Sequence, residues 1–183
     1  MSLVALHLTG NLSNAAWSST TGGAQADYDN DPTNKATYGK LYNFYAVADP
    51  RGLCPTGWHV PSDAEWNELV KFLDPGADTS GGSTQSTIAG GMLKATGTLQ
   101  AGTGLWETPN IDATNSSGFA GLPGGYRFNG GSYNDIGLYG YWWSSTQEST
   151  TNAWLRYLGY NNGNVFRLNY DKRDGVSVRC VRD

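Results

Sequence analysis

Four segments near the end of the chain limit its fold more than any other feature: YGYWWSST, NAWLRYLGY, NVFRLNY and GVSVRCVR, divided by short polar or Gly-bearing turns. Their bulky and polar side chains alternate at the two-residue period of strands, which predicts a C-terminal β-meander. The turn Asn161-Asn162-Gly163-Asn164 joins the second segment to the third as a hairpin. Strand geometry then sends Leu155, Tyr157 and Gly159 to one face and Trp154, Arg156 and Leu158 to the other. Phe166, Leu168 and Tyr170 likewise oppose Val165, Arg167 and Asn169. Both faces carry bulky groups, so if one is core, the other needs a purpose.

The length of 183 residues fits one domain spanning 1–183. With 25 Gly, 7 Trp and 11 Tyr, the chain favours turns, short strands and wide aromatic surfaces over long helices. Charged residues make up 15% and the net charge is −4, a balance that excludes a nucleic-acid footprint and an anionic membrane as partners. No run approaches the roughly 20 apolar residues of a membrane span. The N-terminus MSLVALHLTG lacks a basic leader with a long apolar run.

Residues 1–37 are polar and turn-rich and read as surface loops with short strands. YGKLYNFYAV, 38–47, fits a strand or a short buried helix. PSDAEWNELVKFLDPG is the clearest element. Ser62 and Glu65 have capping-box spacing, Trp66, Leu69, Val70 and Leu73 share a face, and Pro75-Gly76 stops the chain, predicting a helix over 63–73. A second short helix is expected near AGGMLKATG, and 97–118 reads as loop. The class is therefore α+β.

Cys54 and Cys180 are the chain's 2 cysteines, too far apart for a close-spaced metal motif. They read as a disulfide or as two buried thiols; closing so long a loop would contribute about 4 to 5 kcal/mol. Two histidines, His7 and His59, cannot build a His-based metal cage, and His59 in GWHVP reads as a hydrogen-bonded structural residue. No nucleophile-elbow pattern occurs, and GGYRFNGG lacks the strand-to-helix setting of a phosphate cradle. No catalytic residue, metal ligand or cofactor site is assigned.

YGKLYNFYAV, GLCPTGWHVPSDAEWNEL, GFAGLPGGYRFNGGSY, GYWWSST and GVSVRCVRD occur in that order and resemble the signature blocks of the Fibrobacter succinogenes major paralogous domain (FISUMP) family. The blocks cover roughly residues 15–183, and 1–10 match none of them, reading as a vector-derived or truncated start. The resemblance implies a C-type-lectin-like fold: one or two early helices packed on a small twisted antiparallel sheet, with the final strands as a display surface. It also implies that Cys54 and Cys180 staple the early block to the last strand. Gln25 stands where relatives frequently carry another cysteine.

The family's kinship with the variable proteins of diversity-generating retroelements implies a variable region over 142–183. Adenine-directed mutation of AAY codons reaches Leu, Tyr, Phe, Gly, Thr, Asp and Arg, but not Gln, Glu, Lys, Met or Trp. Thr150, Thr151, Leu155, Tyr157, Gly159, Phe166, Leu168, Tyr170, Asp171, Arg173 and Asp174 are all reachable and are the candidate ligand-binding residues. Gln147, Glu148, Trp154 and Lys172 are then scaffold. Tyr and Phe offer rigid contact area, and Ser, Thr, Asn and Gly adaptable polar contacts, as in antibody-like paratopes.

The expected function is a non-catalytic display protein that binds an unknown protein or glycan target at the cell surface, outside the cell or on a phage particle. Trp17, Trp58, Trp66, Trp142 and the cysteine bridge would pin the scaffold beneath. On that reading, changing Tyr157, Phe166, Leu168 and Tyr170 together to Ser leaves the melting temperature nearly unchanged and abolishes binding. The alternative is a calcium-dependent lectin using the acidic DYDNDP stretch, although Thr108 interrupts the Glu-Pro-Asn triplet of sugar-binding C-type lectins in ETPN. A third is an oxidase like the formylglycine-generating relatives, which need a redox cysteine pair.

Overall fold

A computed structural model describes residues 8–183. His7 and most of the 1–10 segment lie outside the described residues. The described chain opens with β1 (Thr9–Gly10), α1 (Asn14–Ser19), β2 (Ala24–Ala26), α2 (Pro32–Tyr38), β3 (Leu41–Tyr42), α3 (Phe44–Val47) and β4 (Trp58–His59). Next come α4 (Asp63–Leu73), β5 (Thr84–Ser86) and α5 (Ala89–Leu93). The remainder is strand and loop: β6 (Gly124–Arg127), β7 (Tyr133–Ile136), β8 (Tyr139–Gln147), β9 (Asn152–Gly159), β10 (Val165–Asp171) and β11 (Val181–Arg182).

α4 occupies the predicted residues for the predicted reason. Ser62 accepts from the Glu65 N–H, and the Glu65 carboxylate accepts from the Ser62 N–H, so two orphan donors are satisfied reciprocally. Residues 1–37 differ from the loop reading, since α1 and α2 fall there. Their start signals are single caps: Ser13 accepts from Ala16 N, and Asp31 accepts from Thr33 N ahead of Pro32. Trp17 on α1 is sealed beside Ala24 and Ala26. The 38–47 segment holds both of the elements weighed for it, β3 and then α3, separated by the cap Asn43.

The main sheet has six strands in the order β5-β10-β9-β8-β6-β7. β8, β9 and β10 form the expected antiparallel meander, while β6 joins β8 in parallel through Gly125 and Gly140. The last predicted strand departs from this sheet: β11 pairs with β4 instead.

Hydrophobic layers cover both faces of the meander. Trp142, Leu158 and Val165 pack with Trp66 and Val70 of α4 and with Ala89 and Leu93 of α5. Trp143, Ala153, Leu155 and Tyr141 pack with Phe44 and Val47 of α3, Val60 and Val176. The bulky groups on both faces thus have a structural explanation, because a sheet between two layers is apolar on either side. Trp17, Trp66 and Trp142 are buried as scaffold residues. Trp58 is not: it is 46% exposed.

Cys54 and Cys180 form a disulfide, with their Cα atoms 5.9 Å apart. It ties the approach to β4 to the residue preceding β11. The bridge fits an extracellular protein. Among the described residues, no helix is long and apolar enough to cross a membrane.

Candidate functional site

Cross-strand register builds the site. Tyr157 on β9 faces Tyr141 on β8 and Phe166 on β10, while Leu155 faces Trp143 and Leu168. α3 closes over the Trp143 and Leu155 end of this face. Beyond it runs a continuous series of rings. Tyr157 and Phe166 stack with centroids 4.4 Å apart and planes 8° from parallel. Tyr157 reaches Tyr139 at 5.9 Å and Tyr141 at 5.6 Å. Tyr141 reaches Tyr126 at 5.2 Å and Tyr170 at 5.7 Å, and Tyr139 touches Tyr160 at 6.2 Å.

Tyr141 is the floor of this ladder, only 5% exposed, and its hydroxyl donates to Asp135 at 2.7 Å. Tyr126, Tyr139, Tyr157, Phe166, Leu168 and Tyr170 stand half-buried around it. Burial pushes Tyr141 far above the ordinary phenol range, raises Tyr157, and pushes Tyr170 up to about 12. These three phenols are therefore uncharged at neutral pH, and the ladder combines broad apolar faces with phenol donors.

The eleven residues expected to contact a ligand separate into distinct settings. Tyr157, Phe166, Leu168 and Tyr170 lie on the ladder face. Thr150 and Thr151 are exposed on the turn between β8 and β9, which follows directly from the Tyr170 end, because Lys172 N donates to Thr151 O. Asp171 and Arg173 form a bidentate ion pair at 2.9 and 2.8 Å, and Arg173 also donates to Ser18 O of α1. Leu155, Gly159 and Asp174 correct the expectation of solvent-facing positions. Leu155 is fully sealed beneath α3. Gly159 is buried and uses its carbonyl to accept from Lys94. Asp174 is 5% exposed, and its carboxylate accepts from Asn129 N at 2.7 Å.

Half-burial also corrects the expected indifference of the scaffold. Tyr157, Leu168 and Tyr170 pack against the Trp143 cluster, so replacing them with Ser removes part of its cover. Tyr126, Tyr139 and Tyr141 complete the ladder but precede the expected variable region over 142–183. Their signal was present in Tyr139-Gly140-Tyr141, whose alternation places both rings on the Trp143 side.

Buried cations brace the surroundings. Lys172 Nζ donates to Gln147 Oε1, Ser149 O and Thr150 O at 3.0, 2.9 and 3.1 Å, clamping the β8–β9 turn. Lys94 Nζ donates to Ile111 O, Gly159 O and Asn162 O at 2.7, 2.9 and 2.8 Å, clamping the β9–β10 turn. On the opposite face, Asp63 receives Arg156 at 2.7 Å and Arg167 at 2.9 Å, and Arg167 lies 3.4 Å over the Trp154 ring.

The residues of the other two functional readings serve local structure. Asp27 pairs with Lys40 at 2.8 Å and accepts from Asn11, while Asp31 caps α2. Among the described residues, no three His, Cys, Asp or Glu side chains gather as metal ligands. Cys54 and Cys180 are bonded to each other. His59 lies between Glu65 and Asp183, 2.7 Å from each, joining the β4–β11 pair to the cap of α4.

Comparison with curated proteins and with solved structures returned no match. The family model described as the Fibrobacter succinogenes major domain matches residues 7–182, and the chain belongs to that family.

Proposed function

We propose that this chain is a non-catalytic binding protein with a C-type-lectin-like fold. Its recognition surface is the ladder face of β8, β9 and β10 together with the adjoining β8–β9 turn. One observation carries the reading: a half-open series of uncharged rings lies over a sealed floor of Tyr141, Trp143 and Leu155. Rigid aromatic area loses little conformational freedom on binding, and the neighbouring Thr150 and Thr151 supply adaptable polar contacts. The target is a protein or glycan, met at a cell surface or from a phage particle.

The protein is further proposed to be the variable partner of a diversity-generating retroelement. Its open positions Thr150, Thr151, Tyr157, Phe166, Leu168 and Tyr170 are all residue types reachable from Asn codons by adenine mutation. Gln147 and Lys172 are not reachable, and they bond each other to brace the turn. The reachable residue types at the open positions support the reading, although the sealed Leu155, Gly159 and Asp174 are of reachable types as well.

Sequencing the coding locus across a population tests it. The expected result is substitution concentrated at the six open codons, beside an Asn-rich template repeat and a reverse-transcriptase gene. An invariant segment with neither neighbour contradicts the retroelement assignment.

A further inference from the structure

Arg179 lies where two cavities meet, and none of their lining residues belongs to the aromatic ladder. One is a mixed cleft of about 420 Å³ walled by Tyr38, Lys40, Tyr42, Trp142 and Ser177. The other, about 270 Å³, is lined by Pro61, Glu65, Trp66, Leu69, Phe119 and Val181. Arg179 lines both. Its guanidinium lies 4.5 Å over the Phe119 ring and donates to the Phe119 carbonyl.

The nearby charges are already engaged. Lys40 pairs with Asp27, and Glu65 accepts from Ser62 and contacts His59. Arg179 has no carboxylate within ion-pair distance among the described residues. Arginine carries five N–H donors in a flat fork suited to a carboxylate. Only the bond to Phe119 O engages that fork among the described residues. The fixed ring beneath it holds its plane and limits the ordering required on binding.

We propose that this double cavity is a second binding site, specific for a carboxylate bearing an adjacent apolar group. The carboxylate pairs with the Arg179 fork, and the apolar group enters the pocket of Trp66, Leu69, Phe119 and Val181. The remainder of the ligand extends into the Tyr38–Trp142 cleft. Such chemistry is offered by a free aryl-alkanoic acid or by a peptide C-terminus ending in an apolar residue.

Titration of the whole protein with 3-phenylpropionate, followed by the indole N–H resonances of Trp66 and Trp142, tests the site. The expected Kd is on the order of 1 mM, in keeping with so small a ligand. 3-Phenylpropionamide should bind at least about tenfold more weakly because it lacks the charge. Arg179→Gln should weaken the acid by a similar factor, and its thermal transition is recorded alongside to show that the variant is folded. Acetyl-Ala-Phe with a free carboxylate forms the second arm. Tighter binding of the peptide identifies a peptide terminus as the source, and tighter binding of the simple acid identifies a small metabolite. Equal binding of acid and amide by the wild-type protein overturns the proposal without needing a variant. So does the failure of both acids to move either indole.

Discussion

Tyr157 and Phe166 are directly paired across β9 and β10, and their rings lie 4.4 Å apart and nearly parallel. Two strands therefore contribute one flat aromatic surface, neither sealed nor free. Its open side is available to a partner, while its inner edge leans on Tyr141 and Tyr139.

That position predicts graded costs of substitution. Phe166→Ser should lose about 1 to 2 kcal/mol, the worth of partial burial and one stacked pair. Leu155→Ser, two residues from Tyr157 on the same face, should lose about 4 to 5 kcal/mol by opening a cavity and burying a hydroxyl. Urea denaturation with a shared m-value measures both. Equal losses would contradict the division between an open ladder and a sealed floor.

Lys94 predicts a different failure. It is fully buried, and all three ammonium donors reach backbone carbonyls. Burial pulls its pKa down to about 8, which leaves it charged at neutral pH. Lys94→Met strands those three acceptors and should cost on the order of 3 kcal/mol or more. Hydrogen exchange should accelerate first in the turn between β9 and β10. Unchanged protection there would show that the clamp is dispensable.

Asp63 carries two arginines with one carboxylate. Burial pushes its pKa up, but the bonds from Arg167 and Arg156 outweigh this and hold it below the ordinary value. Its contribution is present above the unfolded carboxyl pKa and is lost as pH falls through the folded one. Asp63→Ala leaves Arg156, 1% exposed, without its acid and should cost about 3 to 5 kcal/mol at pH 7. A loss below about 1 kcal/mol, the range of an exposed ion pair, would refute the buried role.

Asp174 should give the opposite pH dependence. Burial pushes its carboxyl up to about 7, with Asp171 adding repulsion, against the bond from Asn129 N and the charge of Arg173. An unfolded Asp ionises near pH 3.9, so between that value and 7 the unfolded chain binds fewer protons. The group's contribution to stability therefore falls as pH rises through the window, by up to about 4 kcal/mol. Asp174→Asn should gain on the wild type as pH rises from 4.5 to about 7 and level off above that, as followed by thermal melts. A constant difference across that range would contradict the assignment.

Removing the disulfide by Cys54→Ser with Cys180→Ser should cost about 4 to 5 kcal/mol, since the bridge closes a sequence separation of 126 residues. Calorimetry checks the loss. A melting temperature unchanged by the double substitution would assign the pinning of β11 to its pairing with β4 alone.

The legible features were those whose causes lie close together in sequence. α4 combines cap, apolar face and Pro-Gly stop within sixteen residues, from Pro61 to Gly76. The strand alternation from Tyr139 to Tyr170 likewise marks β8, β9 and β10. What could not be read was the order of burial. Period two separates Leu155 from Arg156, yet both are sealed, one under α3 and the other against Asp63 of α4. Leu155 and Tyr157 share a face but not an environment, because the short α3 covers only one end of it. Trp17 was expected in the scaffold, but the group that covers it was not legible. Its burial depends on Arg127, more than a hundred residues later, whose guanidinium lies 4.3 Å over the indole.

Comparative randomisation of two codon sets measures the central claim directly. One library varies Thr150, Thr151, Tyr157, Phe166 and Leu168; the other varies Tyr141, Trp143, Leu155 and Gly159. Protease resistance of displayed clones reports folding, and selection against an arbitrary protein target reports binding. The account predicts that the first library stays largely folded and yields binders, while the second loses nearly all folded clones. Comparable survival in both libraries, or a folded first library without a single binder, would contradict it.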